Sequence, residues 1–190
     1  GMVDFVNVGL VSGVLALPVS PTEKMVLLGI AVKSFEGESS YSPSLLLLSG
    51  CSKNTVTKAM GSLSTRGILK KRCRGKYELN IVPESGKWLN IEHFKYILQT
   101  NLGYHRKLVM IAVVKHLSAT KKVCWPCMDT LKNITGMGKR SISRCLSWLT
   151  EQGWIERFIE SGRWFFRPIY DVSEVPNVTL VDPNVTQITP

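Results

Sequence analysis

One stretch of this chain repeats another. Lys24-Met-Val-Leu-Leu-Gly-Ile-Ala-Val-Lys33 aligns with Lys107-Leu-Val-Met-Ile-Ala-Val-Val-Lys-His116 at an offset of 83, and Pro43 meets Pro126 in the same register. After a three-residue insertion, Gly50-Cys-Ser-Lys-Asn-Thr-Val56 meets Gly136-Met-Gly-Lys-Arg-Ser-Ile142. The match continues with Lys58 on Arg144, Leu63 on Leu149, Gly67 on Gly153, Leu69 on Ile155 and Gly75 on Gly162. Two copies this far apart are each long enough to own a small core, so the repeat predicts two domains and excludes a solenoid of short units. A length of 190 residues accommodates two small domains.

Each copy has the same coarse layout. A continuous apolar stretch with polar ends, Thr22–Ser34 or Tyr104–Leu117, reads as a largely buried helix. A polar loop follows, Glu36–Ser40 or Ser118–Lys122. A short second helix then starts with Ser42 as N-cap and Pro43 at the first helical position, where its missing N–H costs nothing; Trp125 and Pro126 hold those places in the second copy. Gly50 or Gly136 stops it, and a tight turn leads to a third helix capped by Ser52, with Gly138 in that place in copy two. Val56, Met60 and Leu63, like Ile142, Leu146 and Leu149, keep helical spacing, and Gly67 and Gly153 stand where a helix-terminal glycine belongs. Strands Ile68–Arg72 with Lys76–Ile81, and Trp154–Ile159 with Arg163–Tyr170, close a hairpin in each copy. Helix, short helix, turn, helix and hairpin is the winged helix-turn-helix layout. The predicted fold is therefore α+β, mainly helical, with two tandem winged-helix domains at 20–82 and 103–170. They are flanked by an N-terminal extension (1–19), a connector (83–102) and a flexible Pro- and Thr-containing tail (171–190), in which Pro176-Asn-Val-Thr179 recurs as Pro183-Asn-Val-Thr186.

Charge concentrates in the repeats. The formal charge is +10; residues 20–82 carry +6 and 83–170 carry +8, whereas 1–19 and 171–190 carry −1 and −3. That pattern favours a polyanionic partner, although a basic solvated face is also common in proteins with no such role. The hydrophobic content of 44% is that of a globular chain, and no apolar run reaches the roughly 18–20 residues needed to cross a bilayer. Five scattered cysteines form no disulfide framework and fit reduced thiols in a cytosol.

A helix-turn-helix rests its third helix in the major groove, so the face left over by the apolar stripe carries the chemistry. In copy one that face holds Lys53, Asn54, Thr55, Thr57, Lys58 and Arg66; in copy two it holds Lys139, Arg140, Ser141, Ser143, Arg144 and Ser147. Neither set contains an acid. Asn and Arg suit bidentate contacts with adenine and guanine, and Ser and Thr serve bases or phosphates. The first hairpin, Lys70-Lys-Arg-Cys-Arg-Gly-Lys76, packs five basic residues into seven positions, with Arg72, Arg74 and Lys76 as candidate phosphate or minor-groove contacts. Arg157, Arg163 and Arg167 fill that part more sparsely in the second, with Glu156 and Glu160 interleaved. A solvated run would mix signs, because like charges repel across strands.

The second copy, Lys107-Leu-Val-Met-Ile-Ala, Cys124-Trp-Pro-Cys127, Leu131, Gly136-Met-Gly-Lys-Arg-Ser-Ile-Ser-Arg144, Leu149 and Gly153-Trp-Ile155, resembles helix-turn-helix domains common in phage and plasmid replication proteins. Those domains often read Cys-Trp-Pro-Ser, so Cys127 replaces a serine. The first copy resembles the same class more loosely. The resemblance covers about residues 20–170. It implies a replication initiator of a phage, prophage or plasmid, or a related regulator. It also implies double-stranded DNA at an origin or operator as partner, met by the third helices, in a bacterial cytosol or nucleoid. Replication proteins such as a helicase or its loader are further candidate partners.

Other motifs are weaker. Cys124-Trp-Pro-Cys127 lacks a redox setting and two further zinc ligands, and Pro126 matches Pro43, so it reads as a helix start. Asn133–Arg140 resembles a phosphate-binding loop, but its first glycine is Asn133 and its metal-binding hydroxyl is Arg140. His93, His105 and His116 are far apart, and paired acids that could hold two metals are missing, so no enzyme, cofactor or metal is expected. Residues 3–17 lack a basic leader and fit a helix or strand packed on the first domain or on a second chain. Trp88–Leu98 in the connector either fixes one domain against the other or makes a homodimer contact. Three functions stay open: replication initiator, transcription regulator on the same scaffold, and protein-interaction module of a replication complex.

Overall fold

In the computed structural model the chain is α+β and mainly helical, with two small antiparallel sheets; residues 6–32, 38–40, 44–72, 76–84, 90–117, 126–174 and 176 are described. The first half runs α1 (Val8–Leu15), α2 (Pro21–Val32), β1 (Glu38–Ser40), α3 (Ser44–Ser49), α4 (Lys53–Thr65), β2 (Leu69–Lys71) and β3 (Lys76–Leu79). The second runs α5 (Ile91–Gln99), α6 (Tyr104–Lys115), α7 (Met128–Thr135), α8 (Lys139–Glu151), β4 (Ile155–Glu160) and β5 (Arg163–Pro168). Ser42, Pro43, Cys124, Trp125, the loop Ser118–Lys122 and the second Pro-Asn-Val-Thr segment lie outside the described residues.

The two apolar stretches form the centre. Glu23 through Val32 of α2 and Lys107 through Val114 of α6 are buried without a break, and the two helices pack on each other. Helices buried on all sides lose amphipathic periodicity, which is why these segments read as continuous apolar runs. Ser20 starts α2 with a reciprocal cap. The Glu23 N–H donates to the Ser20 hydroxyl, and the Ser20 N–H donates to the Glu23 carboxylate, with Pro21 at the first helical position.

Two segments read as extension and connector are helices of equal standing. Leu15 in α1 and Leu98 in α5 each stand nine residues before a buried lysine and offer it a carbonyl: Lys24 Nζ donates to Leu15 O at 2.9 Å, and Lys107 Nζ to Leu98 O at 2.6 Å. The repeat at offset 83 therefore includes α1 and α5, and the connector contains a helix packed on α6 and on α3.

Contacts between the halves are reciprocal. Lys24 also donates to Ile134 O at the end of α7 (2.8 Å), and Lys107 to Leu47 O near the end of α3 (2.7 Å). Gly50, at φ +67°, ends α3 against the backbone of Leu102, and Gly136, at φ +69°, ends α7 against Val19, the residue equivalent to Leu102. A Cβ on Gly50 would stand 2.6 Å from Leu102 O, so both conformation and space require glycine there. The copies are not identical here: the Tyr104 N–H donates to Gly50 O, whereas its counterpart Pro21 has no N–H to give.

The first sheet corrects one expectation. Glu38–Ser40, expected within a loop, is β1, pairing antiparallel with β3 in the order β1-β3-β2. Its pairs Glu38↔Glu78, Ser39↔Tyr77 and Ser40↔Lys76 are held by main-chain bonds, which a polar tripeptide without alternation does not announce. In the second sheet, Ser161 and Gly162 both take positive φ between β4 and β5, a pairing that matches the twist of a two-residue hairpin.

Candidate nucleic-acid interface

α4 and α8 are built alike. Val56, Ala59, Met60 and Leu63 bury one face of α4; Ile142, Cys145, Leu146 and Leu149 bury the same face of α8. Ser52 caps α4, its hydroxyl accepting from the Thr55 N–H at 3.3 Å, while Gly138 begins α8 with no side-chain cap. Both helices end on the same motif. Ile68 N–H reaches Leu63 O and Gly67 N–H reaches Ser64 O; Trp154 N–H reaches Leu149 O and Gly153 N–H reaches Thr150 O. This double bond turns the chain from each third helix straight into its hairpin.

That geometry exposes Lys53, Asn54, Thr57 and Lys58 on α4, with Thr55 half-buried and its hydroxyl accepting from Ser52 at 3.0 Å. On α8 it exposes Lys139, Arg140, Ser141 and Arg144, with Ser143 and Ser147 half-buried. The first turns of both helices contain no acid. Each face thus presents a basic and hydroxyl-bearing surface on a single α-helix, the element that a major groove about 12 Å wide admits.

Arg66 stands apart from that set. It occupies the C-cap of α4, about 20 Å along the axis from Lys53, and its guanidinium lies 3.6 Å from Glu23 of α2. Burial raises the Glu23 carboxyl pKa, but hydrogen bonds with Ser20 and Ser62 and the Arg66 charge outweigh it and leave the group below its ordinary range.

The hairpins differ in chemistry. Lys70, Lys71, Arg72 and Lys76 are exposed on the first; Arg72 pairs with Glu78 on the neighbouring strand, and Arg74 lies outside the described residues. On the second, Arg163 is exposed, Arg167 bonds Glu156 at 3.1 Å, and the half-buried Arg157 lies 5.5 Å from the Trp164 ring. Ile159 and Trp164 pair across the strands and are 57% and 52% exposed, so this hairpin presents an apolar edge where the first presents cations. Sequence reading of charge alone passes over both residues.

Arg106 belongs to neither basic face that the sequence predicts. Its guanidinium lies 3.6 Å above the Trp148 ring, beside a cavity of about 400 Å³ that includes His105, Ser141 and Arg144 in its lining. Burial and the Arg106 charge lower the His105 pKa, favouring the neutral ring. The repeat contains the signal: Arg106 is the counterpart of Glu23, and Trp148 of Ser62, so the position that pairs an acid with a hydroxyl in one half stacks a cation on an indole in the other.

Among the described residues no three His, Cys, Asp or Glu side chains gather where a metal could be held. Cys127 is exposed before α7, its Sγ 3.2 Å from the Thr130 hydroxyl, whereas Cys51 and Cys145 are buried. No helix among the described residues is long and apolar enough to cross a membrane.

A family model described as a helix-turn-helix domain matches residues 100–155, a span running from the residues before α6 through α7 and α8 to the start of β4. No curated protein and no solved structure matches the chain. The second half is thus similar to a helix-turn-helix domain, with the exposed face of α8 inside the matched span, and that similarity supports DNA as a partner.

Proposed function

We propose that the chain binds double-stranded DNA sequence-specifically through two winged-helix units, residues 20–82 and 103–170, with α4 and α8 as recognition helices and the hairpins as wings. The observation that carries the proposal is the matched pair of exposed third-helix faces, each starting with a cation-bearing, acid-free first turn, one of them inside the helix-turn-helix match. Asn54 and Arg140 are suited to read base edges; Lys53, Lys58, Lys139 and Arg144 are suited to phosphates, with Thr55, Thr57, Ser141 and Ser143 serving either. The exposed cations of the first hairpin support a stronger backbone grip by that wing than by the second. The role is binding without a catalytic step.

The biological setting we propose is replication initiation of a phage, prophage or plasmid, on the strength of the sequence resemblance. The apolar edge formed by Ile159 and Trp164 favours a second reading for the second wing alone, contact with a protein of the same replication complex. Selection of bound sites from random duplex DNA tests the proposal. The expected product is a motif of roughly 15–25 base pairs with two unlike sub-sites, located in an origin of the source genome. Location at promoters would make the protein a regulator, and no enriched motif would reject sequence-specific binding.

A further inference from the structure

The contacts between the halves have the form of a two-fold relationship. Lys24 of the first half reaches the end of α7, and its counterpart Lys107 reaches the end of α3. Gly50 ends α3 against Leu102, and its counterpart Gly136 ends α7 against Val19. The equivalent helices α2 and α6 pack on each other at the centre. Two copies related by translation touch through unlike surfaces, so a contact from first to second would have no return; contacts exchanged in both directions are the mark of an isologous, two-fold interface. Nothing on either side needs the halves to be identical, and the missing bond at Pro21 shows that they are not.

We infer that a local pseudo-two-fold axis runs between α2 and α6, and that the DNA target is consequently a pair of inverted half-sites read by one chain, not a direct repeat. The inference rests on the DNA-binding reading above. A two-fold that exchanges α4 and α8 also exchanges the strand sense in which each reads DNA. A duplex that meets both helices must then place its own dyad on that of the protein, as operators do for two-fold dimers. Because α4 and α8 carry different side chains, the natural half-sites differ in sequence, and their inverted orientation is hidden from a motif of the wild-type protein.

Making the two faces alike exposes the orientation. The variant Asn54→Arg, Thr55→Ser, Thr57→Ser and Lys58→Arg gives α4 the exposed residues of α8. The converse variant, Arg140→Asn, Ser141→Thr, Ser143→Thr and Arg144→Lys, gives α8 those of α4. All eight positions are exposed or half-buried, and the swapped side chains keep hydroxyl for hydroxyl and cation for cation at all but the Asn/Arg position. Site selection is run on both variants and the wild type, keeping complexes whose mass corresponds to one chain per duplex. The expected result is a palindrome for each variant, with the two palindromes built from the two different wild-type half-sites. A direct repeat, or a motif holding only one half-site, overturns the two-fold inference while leaving DNA binding intact. Absence of any enriched motif for the wild type as well overturns the DNA-binding reading itself.

Discussion

Lys107 Nζ lies 2.7 Å from Leu47 O, so the core helix α6 of the second half is bonded to α3 of the first. The same ammonium donates to Leu98 O at 2.6 Å and Thr100 O at 2.7 Å, placing three acceptors around three N–H groups in a fully buried position. Burial pushes the Lys107 pKa well below its ordinary value, while the three carbonyls favour the charged form, the only one with a donor for each. Lys24 has two such bonds, to Leu15 O and Ile134 O.

Replacing either lysine by methionine keeps the stem and removes these bonds, leaving Leu98 O and Thr100 O, or Leu15 O and Ile134 O, without the lysine, while Leu47 O keeps the Gly50 N–H at 3.2 Å. Each unsatisfied buried carbonyl costs about 1–3 kcal/mol, partly offset by removing a buried charge, so Lys107→Met is expected to destabilise by about 2–4 kcal/mol. Lys24→Met, with two bonds lost in place of three, should cost less. Urea unfolding monitored by circular dichroism checks the order; equal or reversed costs would contradict this account of the interface.

Lys24 gives the fold a pH signature. Burial, with a smaller contribution from the Lys115 charge, lowers its pKa to about 8, against 10.5 for the free side chain. Between those values the unfolded chain holds a proton that the folded chain has released. Stability contributed by this group therefore rises with pH across the window, by roughly 3 kcal/mol. Cys51 acts in the opposite sense: burial raises its thiol to about 11, so its contribution is lost as pH climbs from about 9 to 11. The Lys24 effect is isolated as the stability difference between wild type and Lys24→Met, which should move in favour of wild type between pH 8 and 10.5. A flat difference would rule out a neutralising Lys24.

Gly50 and Gly136 offer a matched pair. Both have left-handed φ, but a Cβ at Gly50 would meet backbone at 2.6 Å, whereas at Gly136 its nearest neighbour is Val19 O at 3.4 Å. Gly136→Ala should cost about 1–2 kcal/mol for conformation alone, and Gly50→Ala more, because backbone must move. Thermal melts of the two variants decide this, and equal melting points would sink it.

Much of this architecture was legible because the repeat carries punctuation as well as apolarity. Gly67 and Gly153 announced the ends of α4 and α8, and the buried stripes Val56–Leu63 and Ile142–Leu149 left the exposed faces by subtraction. The repeat is plain in the sequence only from Lys24 and Lys107, since before them the identities at offset 83 are Asn7 with Asn90 and Leu15 with Leu98; the equivalence of α1 and α5 shows in the buried Val11, Val14 and Leu15 against Phe94, Ile97 and Leu98, and in the carbonyls they offer to the two lysines. The Ser20-Pro-Thr-Glu23 cap was present in the sequence and passed over, although its spacing is that of a capping box. β1 had no signal, because its pairing is main-chain work by Glu38–Ser40. The exposed cations of the third helices could be named from the sequence, but whether a cation is already engaged could not: Arg72 meets Glu78, and Arg66 lies beside Glu23.

The most direct test of the central claim is the salt dependence of binding to a selected duplex, measured by fluorescence anisotropy for the wild type, Lys53→Ala/Lys58→Ala and Arg140→Ala/Arg144→Ala. If α4 and α8 both engage DNA, affinity falls steeply with salt, and each double variant weakens binding and flattens the logarithmic slope by about 1–2. Wild-type slopes retained by both variants would contradict the assignment of these helices as the DNA-binding surface.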